Sequence, residues 1–406
     1  MSERIVVTGV GVVAPNGLGA GDFWAATLAA DSGIRRLTRF DPSSYPTQVG
    51  GEVLGFAPAQ HVPGRLVPQT DRVTQFALAA TDWALEDAGI AVTDLNEYEI
   101  GVITANGCGG FEFGQHELQK LWSEGPHRVS AYQSFAWFYA VNTGQLSIRH
   151  GAKGHSSVMV AEQAGGLDAL ACARRHLRKG SVRIAITGGM DAPLCPWGLT
   201  AQIPNGRLST SHDPRRAFLP FDRDANGYVP GEGGAILLLE EREAALARGA
   251  PRIYGEIAGY TASFDPAQGT GRPPALARAI RGALDDAGVE PAEVDVVIAD
   301  ASGLPALDEV EAEAIRQVFG PRAVAVSIPK TMTGRLYSGG GPLDVVSALM
   351  MIKEGVVPAA ANVSDVPDQY EIDVVREQAR QLPIRTVLIV ARGHGGFNSA
   401  LVVKAV

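Results

Sequence analysis

The sequence predicts an α/β protein in which one pattern of strands and helices occurs twice. Residues 76–90 read FALAATDWALEDAGI, and residues 275–289 read ALARAIRGALDDAGV. Both are helical patterns that end in Asp-Ala-Gly, and Gly89 and Gly288 suit the left-handed position after a helix. A β-branched run follows each helix, EIGVITANG and VDVVIADASG. Runs of this kind are typical of strands that are buried on both faces.

A second pair of similar segments extends the duplication. Residues 165–180 read GGLDALACARRHLRKG, and residues 340–355 read GGPLDVVSALMMIKEG. The first is followed by VRIAITGG and the second by VVPAAANV, and we interpret both as strands. The chain closes on RTVLIVARGHGGFNSALVVKAV, which predicts two strands around a Gly-rich turn. We therefore expect two halves, 1–250 and 251–406, with mostly parallel sheets covered by helices.

Composition and charge exclude several classes of protein. The 406 residues are 46% hydrophobic and carry a formal net charge of −9, which disfavours both disorder and general nucleic-acid binding. No run approaches the ~20 apolar residues of a membrane span, and the start of the chain lacks a signal-peptide pattern. The three cysteines, Cys108, Cys172 and Cys195, form no CxxC pair. We expect a cytoplasmic protein with no metal, no cofactor and no membrane contact.

One glycine-rich motif is a candidate dinucleotide site. Gly9, Gly11 and Ala14 match GxGxxA after a predicted strand, and Asp31 lies near the spacing of the acid that binds the ribose. A dinucleotide site needs a helix to begin at the motif, because the helix N-terminus binds the pyrophosphate. Pro-Asn-Gly follows instead, which is typical of a turn. NAD binding is therefore disfavoured.

A strand-to-helix junction carries the most informative segment. VMVAEQAGG, residues 158–166, predicts a short strand that leads into a helix, with Gln163 at the junction. Further motifs follow in order, PFDRDANGYVPGEGGAILLLEE at 220–241, PKTMTGRLYSGGGPLD at 329–344 and GHGGFNSA at 393–400. Together these motifs resemble the thiolase-like condensing enzymes, the ketosynthases, over nearly the whole chain. The resemblance implies a thiolase fold, in which two α/β halves pack as α-β-α-β-α layers.

The same resemblance identifies three reactive groups that this chain lacks. In ketosynthases the junction holds a nucleophilic cysteine, whose pKa the helix N-terminus lowers; Gln163 stands there and cannot form a thioester. The two histidines that bind the malonyl carbonyl fall on Arg335 and, in an alignment without a gap, on Asp300. An alignment with a gap gives Ser302 instead. The family's lysine remains as Lys330.

Three long segments resemble one subfamily in particular. VAEQAGGLDAL, QSFAWFYAVNTGQ and PKTMTGRLYSGGGPLD are similar to the chain-length factor, or ketosynthase beta subunit, of bacterial type II aromatic polyketide synthases. The resemblance implies a heterodimer with an active ketosynthase alpha subunit, which takes malonyl units from an acyl carrier protein. It also implies that the poly-β-ketone extends into a tunnel at the interface, and that this subunit limits its length.

The helix predicted from residue 111 onwards is the candidate tunnel wall. Its spacing puts Phe111, Gly114 and Leu118 on one face and Glu117 among the polar residues that lie away from it. Spacing alone favours ordinary core for this face. The resemblance reverses that preference, because chain-length factors line the tunnel from this helix, and Phe135 is a second candidate. Since small wall residues leave room for product, we expect a decaketide to dodecaketide.

Gln163 has two interpretations. In one, its amide fills the former nucleophile pocket and is held by hydrogen bonds, as buried polar groups are. In the other, it polarises a malonyl thioester carbonyl and promotes decarboxylation, which produces an acetyl primer. Both histidine positions are lost, so the first interpretation is favoured. Malonyl-carrier-protein decarboxylase through Gln163 remains the alternative function.

The cations near the predicted pocket also have a structural interpretation. Arg335 and Lys330 are expected to pair with nearby acids such as Glu311 or Asp308 rather than to act on a substrate. The basic run at 174–179 is expected to be a solvated helix end, which the helix dipole favours. Docking of the carrier protein on this run is the less favoured alternative.

Overall fold

The computed structural model describes residues 3–267 and 269–406. Five strands of the first half form a sheet: β1 (Ile5–Ala14), β2 (Ile100–Ala105), β3 (Ser156–Met159), β4 (Ile184–Asp191) and β5 (Gly233–Glu241). Their order in space is β1-β5-β4-β2-β3. The long insertions of this half lie between β2 and β3 and between β4 and β5.

The second half repeats this sheet. Its strands are β6 (Gly255–Phe264), β7 (Val296–Ile298), β8 (Ala325–Ser327), β9 (Thr386–Arg392) and β10 (Phe397–Lys404). Their order, β6-β10-β9-β7-β8, is that of the first half with each strand replaced by its counterpart. The duplication expected from the sequence therefore extends to the topology. β1 and β6 pair antiparallel, so the two sheets join edge to edge.

The sheets are mixed, so the prediction of mostly parallel sheets was wrong. β2 is parallel to β3 and β4, and β7 is parallel to β8 and β9. The pairs β4–β5, β5–β1, β9–β10 and β10–β6 are antiparallel. Connection length gives part of the reason. A short Gly-rich turn joins β9 to β10, and such a turn suits only antiparallel neighbours, because parallel ones need a longer crossover.

Helices connect and cover the strands. Those longer than one turn in the described residues are α1 (Ala20–Leu28), α2 (Arg72–Asp87), α3 (Phe111–Glu124), α4 (Val141–His150), α5 (Gly165–Arg178), α6 (Pro196–Gln202), α7 (Arg242–Ala247), α8 (Leu276–Ala287), α9 (Pro305–Phe319) and α10 (Gly340–Glu354). α2 and α8 are one duplicated pair, and α5 and α10 are the other. Gly89 and Gly288 have φ angles of 62° and 61°, as expected after such helices.

The remaining elements are short. Single helical turns are Pro58–His61 and Gln133–Ala136, and short strands are Gly17–Leu18, Ile34–Arg36, Val49–Gly51, Val356–Val357, Asp373–Val374 and Arg380–Gln381. Across residues 3–267 and 269–406, no helix has both the length and the apolar character that crossing a membrane requires.

One predicted strand is in the wrong place. VVPAAANV was expected to match β4 of the first half, but only Val356–Val357 is extended, and it pairs with Arg380–Gln381 outside the main sheet. Pro358 follows at once, and proline has no N–H with which to continue a central strand. The counterpart of β4 is β9, further along the chain.

The glycine motif of β1 has a packing role. The strand runs through the whole motif, so no helix begins there. A Cβ on Gly9 would lie 2.2 Å from the carbonyl oxygen of Ala84, and a Cβ on Gly11 would lie 1.8 Å from that of Ala80. Both alanines belong to α2. The glycines therefore allow α2 to approach the strand closely.

Candidate functional site

Gln163 lies where the chain passes from β3 into α5. The residues Glu162–Ala164 form a 3₁₀ turn that leads directly into the helix. Glu162 has a φ of +50°, a left-handed conformation that is strained for this residue type. The Gln163 side chain is 3% exposed, and a Cβ on Gly340 would lie 2.7 Å from its Oε1. The Gln163 amide is therefore packed against the start of α10.

The second half contains the same turn at the start of α10. Tyr337–Gly339 form a 3₁₀ turn, and Tyr337 has a φ of +52°. Ser338 stands where Gln163 stands in the first half. Its hydroxyl donates to the carbonyl oxygen of Glu162 at 3.1 Å. The duplicated turns therefore bind each other, and neither has a cysteine at the junction position.

An ion pair occupies the two positions that the resemblance assigns to histidines. Arg335 Nη1 lies 3.0 Å from Oδ2 of Asp300, and Nη2 lies 3.1 Å from Oδ1, so the pair is bidentate and buried. Arg335 also donates to the carbonyl oxygens of Asp300 and Arg392. Burial acts to lower the pKa of Arg335, but Asp300, together with Glu162 and Tyr228, raises it above the ordinary value. The guanidinium stays charged, and its donors are taken up within the chain.

Lys330 is engaged in the same way. Its Nζ lies 2.9 Å from Oδ2 of Asp344, and it also donates to the carbonyl oxygen of Ala299. The expectation that both cations form ion pairs is confirmed. The acids expected as partners were wrong, because Glu311 and Asp308 bind backbone amides instead.

Those two acids hold the loop that carries Asp300. Glu311 accepts from the amides of Asp300 at 2.6 Å and Ala301 at 2.9 Å. Asp308 accepts from the amide of Gly303 at 3.0 Å. Burial raises the pKa of both carboxyls, to about 6 for Asp308. Both acids lie on α9, so this helix fixes the position of Asp300.

Two cavities share Arg335 in their linings. The inner cavity, lined by Gln163, Lys330 and Arg335 among others, has a volume of about 10 Å³, which is near the minimum for one water molecule. The outer cleft has a volume of about 710 Å³ and reaches Glu162, Asp300 and Arg335. Gln163 lines the inner cavity and not the outer cleft. Arg335 is the one residue in both linings, and Asp300, which lines the cleft, holds its guanidinium.

α3 carries three of the four candidate tunnel residues. Phe111 stacks on Trp197 of α6, with ring centroids 5.0 Å apart. A Cβ on Gly114 would lie 2.8 Å from Cζ3 of Trp197. The expectation that Gly114 leaves open room was therefore wrong, because Trp197 fills that space from the neighbouring helix. The sequence analysis did not identify Trp197.

Leu118 lies on an open groove between α3 and α6. The groove has a volume of about 300 Å³, and its lining residues are Gln115, Leu118, Gln119, Trp122, Pro196, Trp197 and Thr200. Glu117 was expected to lie away from the buried face but is 4% exposed. It pairs with Lys120 at 2.5 Å and accepts from the amide of Ser130 at 2.6 Å. A buried, ion-paired glutamate therefore shares the inner face with Gly114.

Phe135 lies in the turn between α3 and α4. It is half-buried and makes an edge-to-face contact with Tyr132, with centroids 5.9 Å apart. Around this turn and the groove, several aromatic side chains are exposed, and Trp122 is 77% exposed. We call this set the aromatic surface: Trp122, Tyr132, Trp137, Phe138, Tyr139 and Trp197. Exposed aromatic groups in this number are typical of sites that bind another protein.

Buried charges position α3. Asp71 caps α2 and also accepts from the amide of Phe113 at 2.8 Å, so one carboxyl holds the N-termini of both helices. Burial raises the pKa of Asp71 to about 7. Arg39 pairs with Glu112 of α3 and with buried Glu232, the latter at 3.1 Å. The start of α3 is therefore tied to the core on two sides.

The basic run at the end of α5 is partly structural. Arg174 is buried and pairs with Asp286 at 2.6 Å, and Arg178 donates to the carbonyl oxygen of Glu3 at 3.1 Å. The expectation of a solvated helix end therefore holds for the remaining cations, such as Arg175 and Lys179, which are exposed.

The structure divides the candidate residues into two groups. It places four around the ion pair and inner cavity: Gln163, Asp300, Lys330 and Arg335. The other four lie on or beside α3: Phe111, Gly114, Leu118 and Phe135. The sequence analysis missed Asp344 as a partner, although this acid lies in the same PKTMTGRLYSGGGPLD motif as Lys330. It also missed Asp191, which accepts from three backbone amides and has no motif around it.

Two family models match the chain. They are the N-terminal domain of beta-ketoacyl synthase, over residues 2–245, and its C-terminal domain, over residues 254–364. The tetracenomycin polyketide synthase ketoacyl synthase beta subunit of Streptomyces glaucescens is 62% identical over 400 residues, which cover 98% of each chain. The actinorhodin polyketide beta-ketoacyl synthase 2 of Streptomyces coelicolor is 58% identical over 400 residues, again 98% of each.

Solved structures agree with this assignment. The ishigamide ketosynthase/chain length factor has a TM-score of 0.92 at 30% identity and covers 100% of both chains. A type II polyketide synthase acyl-carrier protein in complex with its ketosynthase bound to the hexaketide has a TM-score of 0.89 at 28% identity, also over 100% of both. The chain therefore belongs to the beta-ketoacyl synthase family, in its thiolase fold, and within it to the beta subunits, or chain-length factors, of bacterial type II polyketide synthases.

Proposed function

We propose that this chain is the non-condensing subunit of a type II polyketide ketosynthase heterodimer and sets the length of the poly-β-ketone. Its partner is a ketosynthase alpha subunit, which extends the product with units from a malonyl-loaded acyl carrier protein. One observation carries the proposal: the strand-to-helix junction lacks a nucleophile and borders a cavity of only about 10 Å³, whereas a groove on α3 is open and bordered by aromatic side chains. The three cysteines are free thiols, which fits the cytoplasmic location that the sequence predicts.

The aromatic surface supports a protein partner. An exposed sheet edge is a second feature that supports a partner, since β3 pairs with β2 on one side and with no other strand of the described residues. Val160, directly after β3, is also exposed. An unpaired strand offers backbone hydrogen bonds, and aromatic side chains offer apolar area. We infer that the alpha subunit covers both.

Covering the groove converts it into a tunnel. We infer that Leu118 forms its side wall and that Trp197, supported by Phe111, forms its end. Gln115 and Gln119 lie beside Leu118 in the lining. This mixture of amide and apolar groups suits a poly-β-ketone, which alternates carbonyl and methylene groups. We propose a decaketide to dodecaketide product, because Leu118 is only of moderate size, with Trp197 as the upper limit.

No observation favours the decarboxylase alternative. Gln163 lines a cavity of about 10 Å³ and does not line the outer cleft, and Arg335, which lines both, is held by Asp300. A cavity of this size has no room for a malonyl thioester, and joining it to the cleft beside Arg335 would require the buried Arg335–Asp300 pair to move. We therefore expect Gln163→Ala to leave product length and acetyl formation unchanged.

The test reconstitutes the chain with its alpha subunit and malonyl-loaded carrier protein and measures product length by mass spectrometry. Leu118→Trp fills the groove and should shorten the product by at least one ketide unit. Trp197→Ala removes the end wall and should lengthen it. Gly114 is a poorer test position, because any side chain there meets Trp197.

A matched control is Leu246→Trp, at an exposed leucine on α7 that does not line the groove. It should give the wild-type product. If both groove variants give a product of wild-type length, or if the control shortens the product equally, the groove does not set the length of the poly-β-ketone.

A further inference from the structure

Three side chains of types that can bind metals lie close together, and none of them lines the inner cavity or the groove. His155 directly precedes β3, and Cys172 and His176 lie on α5. One donor atom from each lies within 4.8 Å of the other two. We propose that these residues form a binding site for Zn²⁺ or Cu⁺. The sequence analysis predicted no metal, because it looked for paired cysteines and found none.

The fold brings these donors together from two ordered elements. Cys172 and His176 are four residues apart on α5, so their side chains lie on one face, one above the other. The carbonyl oxygen of His155 accepts from the amide of Val102 in β2 at 3.0 Å, which fixes the backbone at the start of β3. The site therefore needs no movement of a strand or helix to form.

One donor atom lacks a partner. Nδ1 of His176 is buried and makes no hydrogen bond to any described residue. A buried polar atom of this kind destabilises the protein unless something binds it. Cys172 is a buried free thiol beside it.

The donor set selects the class of cation. One sulfur and two imidazole nitrogens suit borderline or soft ions, whereas Mg²⁺ and Ca²⁺ prefer oxygen. A zinc ion with three protein ligands has a fourth position for water. The charges of Arg175 and Lys179 also act on His176 and oppose added positive charge. Cu⁺ with a thiolate is neutral and avoids this opposition, so both ions are tested.

Binding requires the histidine rings to turn. His155 and His176 are stacked with centroids 3.6 Å apart and an interplanar angle of 16°, so their ring nitrogens do not point to one centre. Bonds of about 2.0 Å to nitrogen and 2.3 Å to sulfur place the donors of a tetrahedral site roughly 3.5 Å apart. The donors, which lie within 4.8 Å of one another, must therefore approach by up to roughly an ångström. His155 is half-buried and borders solvent, so it is the ring that can move.

The experiment titrates the metal-stripped full chain with Zn²⁺ or Cu⁺ against a chromophoric competitor. We expect one equivalent of one of these ions to bind. Cys172→Ser and His155→Gln should each weaken binding by at least ~10-fold. With Co²⁺ as a probe, wild type should show a thiolate-to-cobalt charge-transfer band, and Cys172→Ser should lack it.

The matched control is Cys195→Ser, which changes a buried cysteine elsewhere and keeps an acceptor for the amide of Gly198. It should bind like wild type. His155→Gln keeps the test valid if the buried Cys172 variant does not fold, because His155 is half-buried. The proposal is overturned if neither ion binds in a stoichiometric amount, or if His155→Gln binds as tightly as wild type.

Discussion

The inner cavity and the α3 groove differ in almost every physical property. Around the inner cavity each cation has its acid, Arg335 with Asp300 and Lys330 with Asp344, and about 10 Å³ is left open. The groove has about 300 Å³ of open volume and borders exposed aromatic groups such as Trp122. The first region is filled and its charges are paired within the chain, whereas the second is open.

This difference shows where function lies in a subunit without a nucleophile. Buried charges that satisfy each other are stable, and they have no donors left for a substrate. Exposed aromatic area is unfavourable in water and becomes favourable once a partner covers it. This contrast supports our proposal that the region around Gln163 is structural and that the α3 groove, which spacing alone predicts to be ordinary core, takes part in recognition.

The largest effect is expected from breaking the inner ion pair. Arg335→Ala leaves the buried Asp300 carboxylate without its partner. We expect the free energy of unfolding to fall by about 3–5 kcal/mol. Denaturant unfolding followed by circular dichroism measures this change.

Two further variants separate charge from packing. Arg335→Met combined with Asp300→Leu removes both charges, and we expect it to recover most of the lost stability. Arg223→Ala breaks the exposed pair with Asp365 and should change stability by less than about 1 kcal/mol. A double variant as unstable as Arg335→Ala would mean that side-chain packing around the inner cavity, and not the pairing of the two charges, accounts for the lost stability.

A smaller effect is expected from pH, at the carboxyl that positions the groove helix. Burial raises the pKa of Asp71 from 3.8 to about 7, so the folded protein holds this proton more tightly than the unfolded chain. The stabilisation is complete below about pH 4 and is lost as the pH rises through about 7. We expect Asp71 alone to lower the free energy of unfolding on the order of a few kcal/mol across this range.

Unfolding of Asp71→Asn at about pH 5 and about pH 8 measures this contribution. The asparagine has no proton to release, so the decrease in stability between the two pH values should be smaller than in wild type. Asp368→Asn is the control, because its carboxyl is fully exposed and its variant should keep the wild-type decrease. Equal decreases in wild type and Asp71→Asn would remove Asp71 as the cause.

The smallest effect concerns the groove side and appears only in the complex. Trp122→Ala should change the stability of the isolated chain by no more than about 0.5 kcal/mol, because the side chain is 77% exposed. It should weaken binding of the alpha subunit by about 2 kcal/mol, or roughly 30-fold. Calorimetric titration measures this change, with Leu246→Ala as the exposed apolar control. A variant that binds as tightly as wild type would place the interface elsewhere.

Much of the fold could be predicted from the sequence, because many of its helices, strands and turns are indicated by neighbouring residues alone. The Asp-Ala-Gly helices, the closing hairpin and the strand before Gln163 each carry their own periodicity and turn residues. The strand prediction at Val356–Val357 was wrong because a local pattern does not show which sheet accepts a strand. The antiparallel pairs were missed for the same reason, since sheet order is set by contacts between distant segments.

The candidate site was predictable in position but not in partners. Motifs located Gln163 and Arg335, yet the partners Asp300 and Asp344 lie 35 and 14 residues away from the cations they bind. Trp197 escaped notice because it fills the space beside Gly114 from another helix. The side-chain volumes along one helix do not show which side chains of a neighbouring helix fill the space beside it.

The two strained turns have a consequence for anyone who engineers this protein. Glu162 and Tyr337 hold left-handed backbones on both sides of the duplication, each at a cost of about 1–3 kcal/mol. No cysteine directly follows either residue, so the strained turn is a feature of the fold and does not depend on a nucleophile. Gln163→Cys would therefore place a thiol on a turn whose backbone already has the required conformation. Restoring condensation would still require histidines at the positions of Asp300 and Arg335 and access for a substrate, but no new backbone conformation at residue 162.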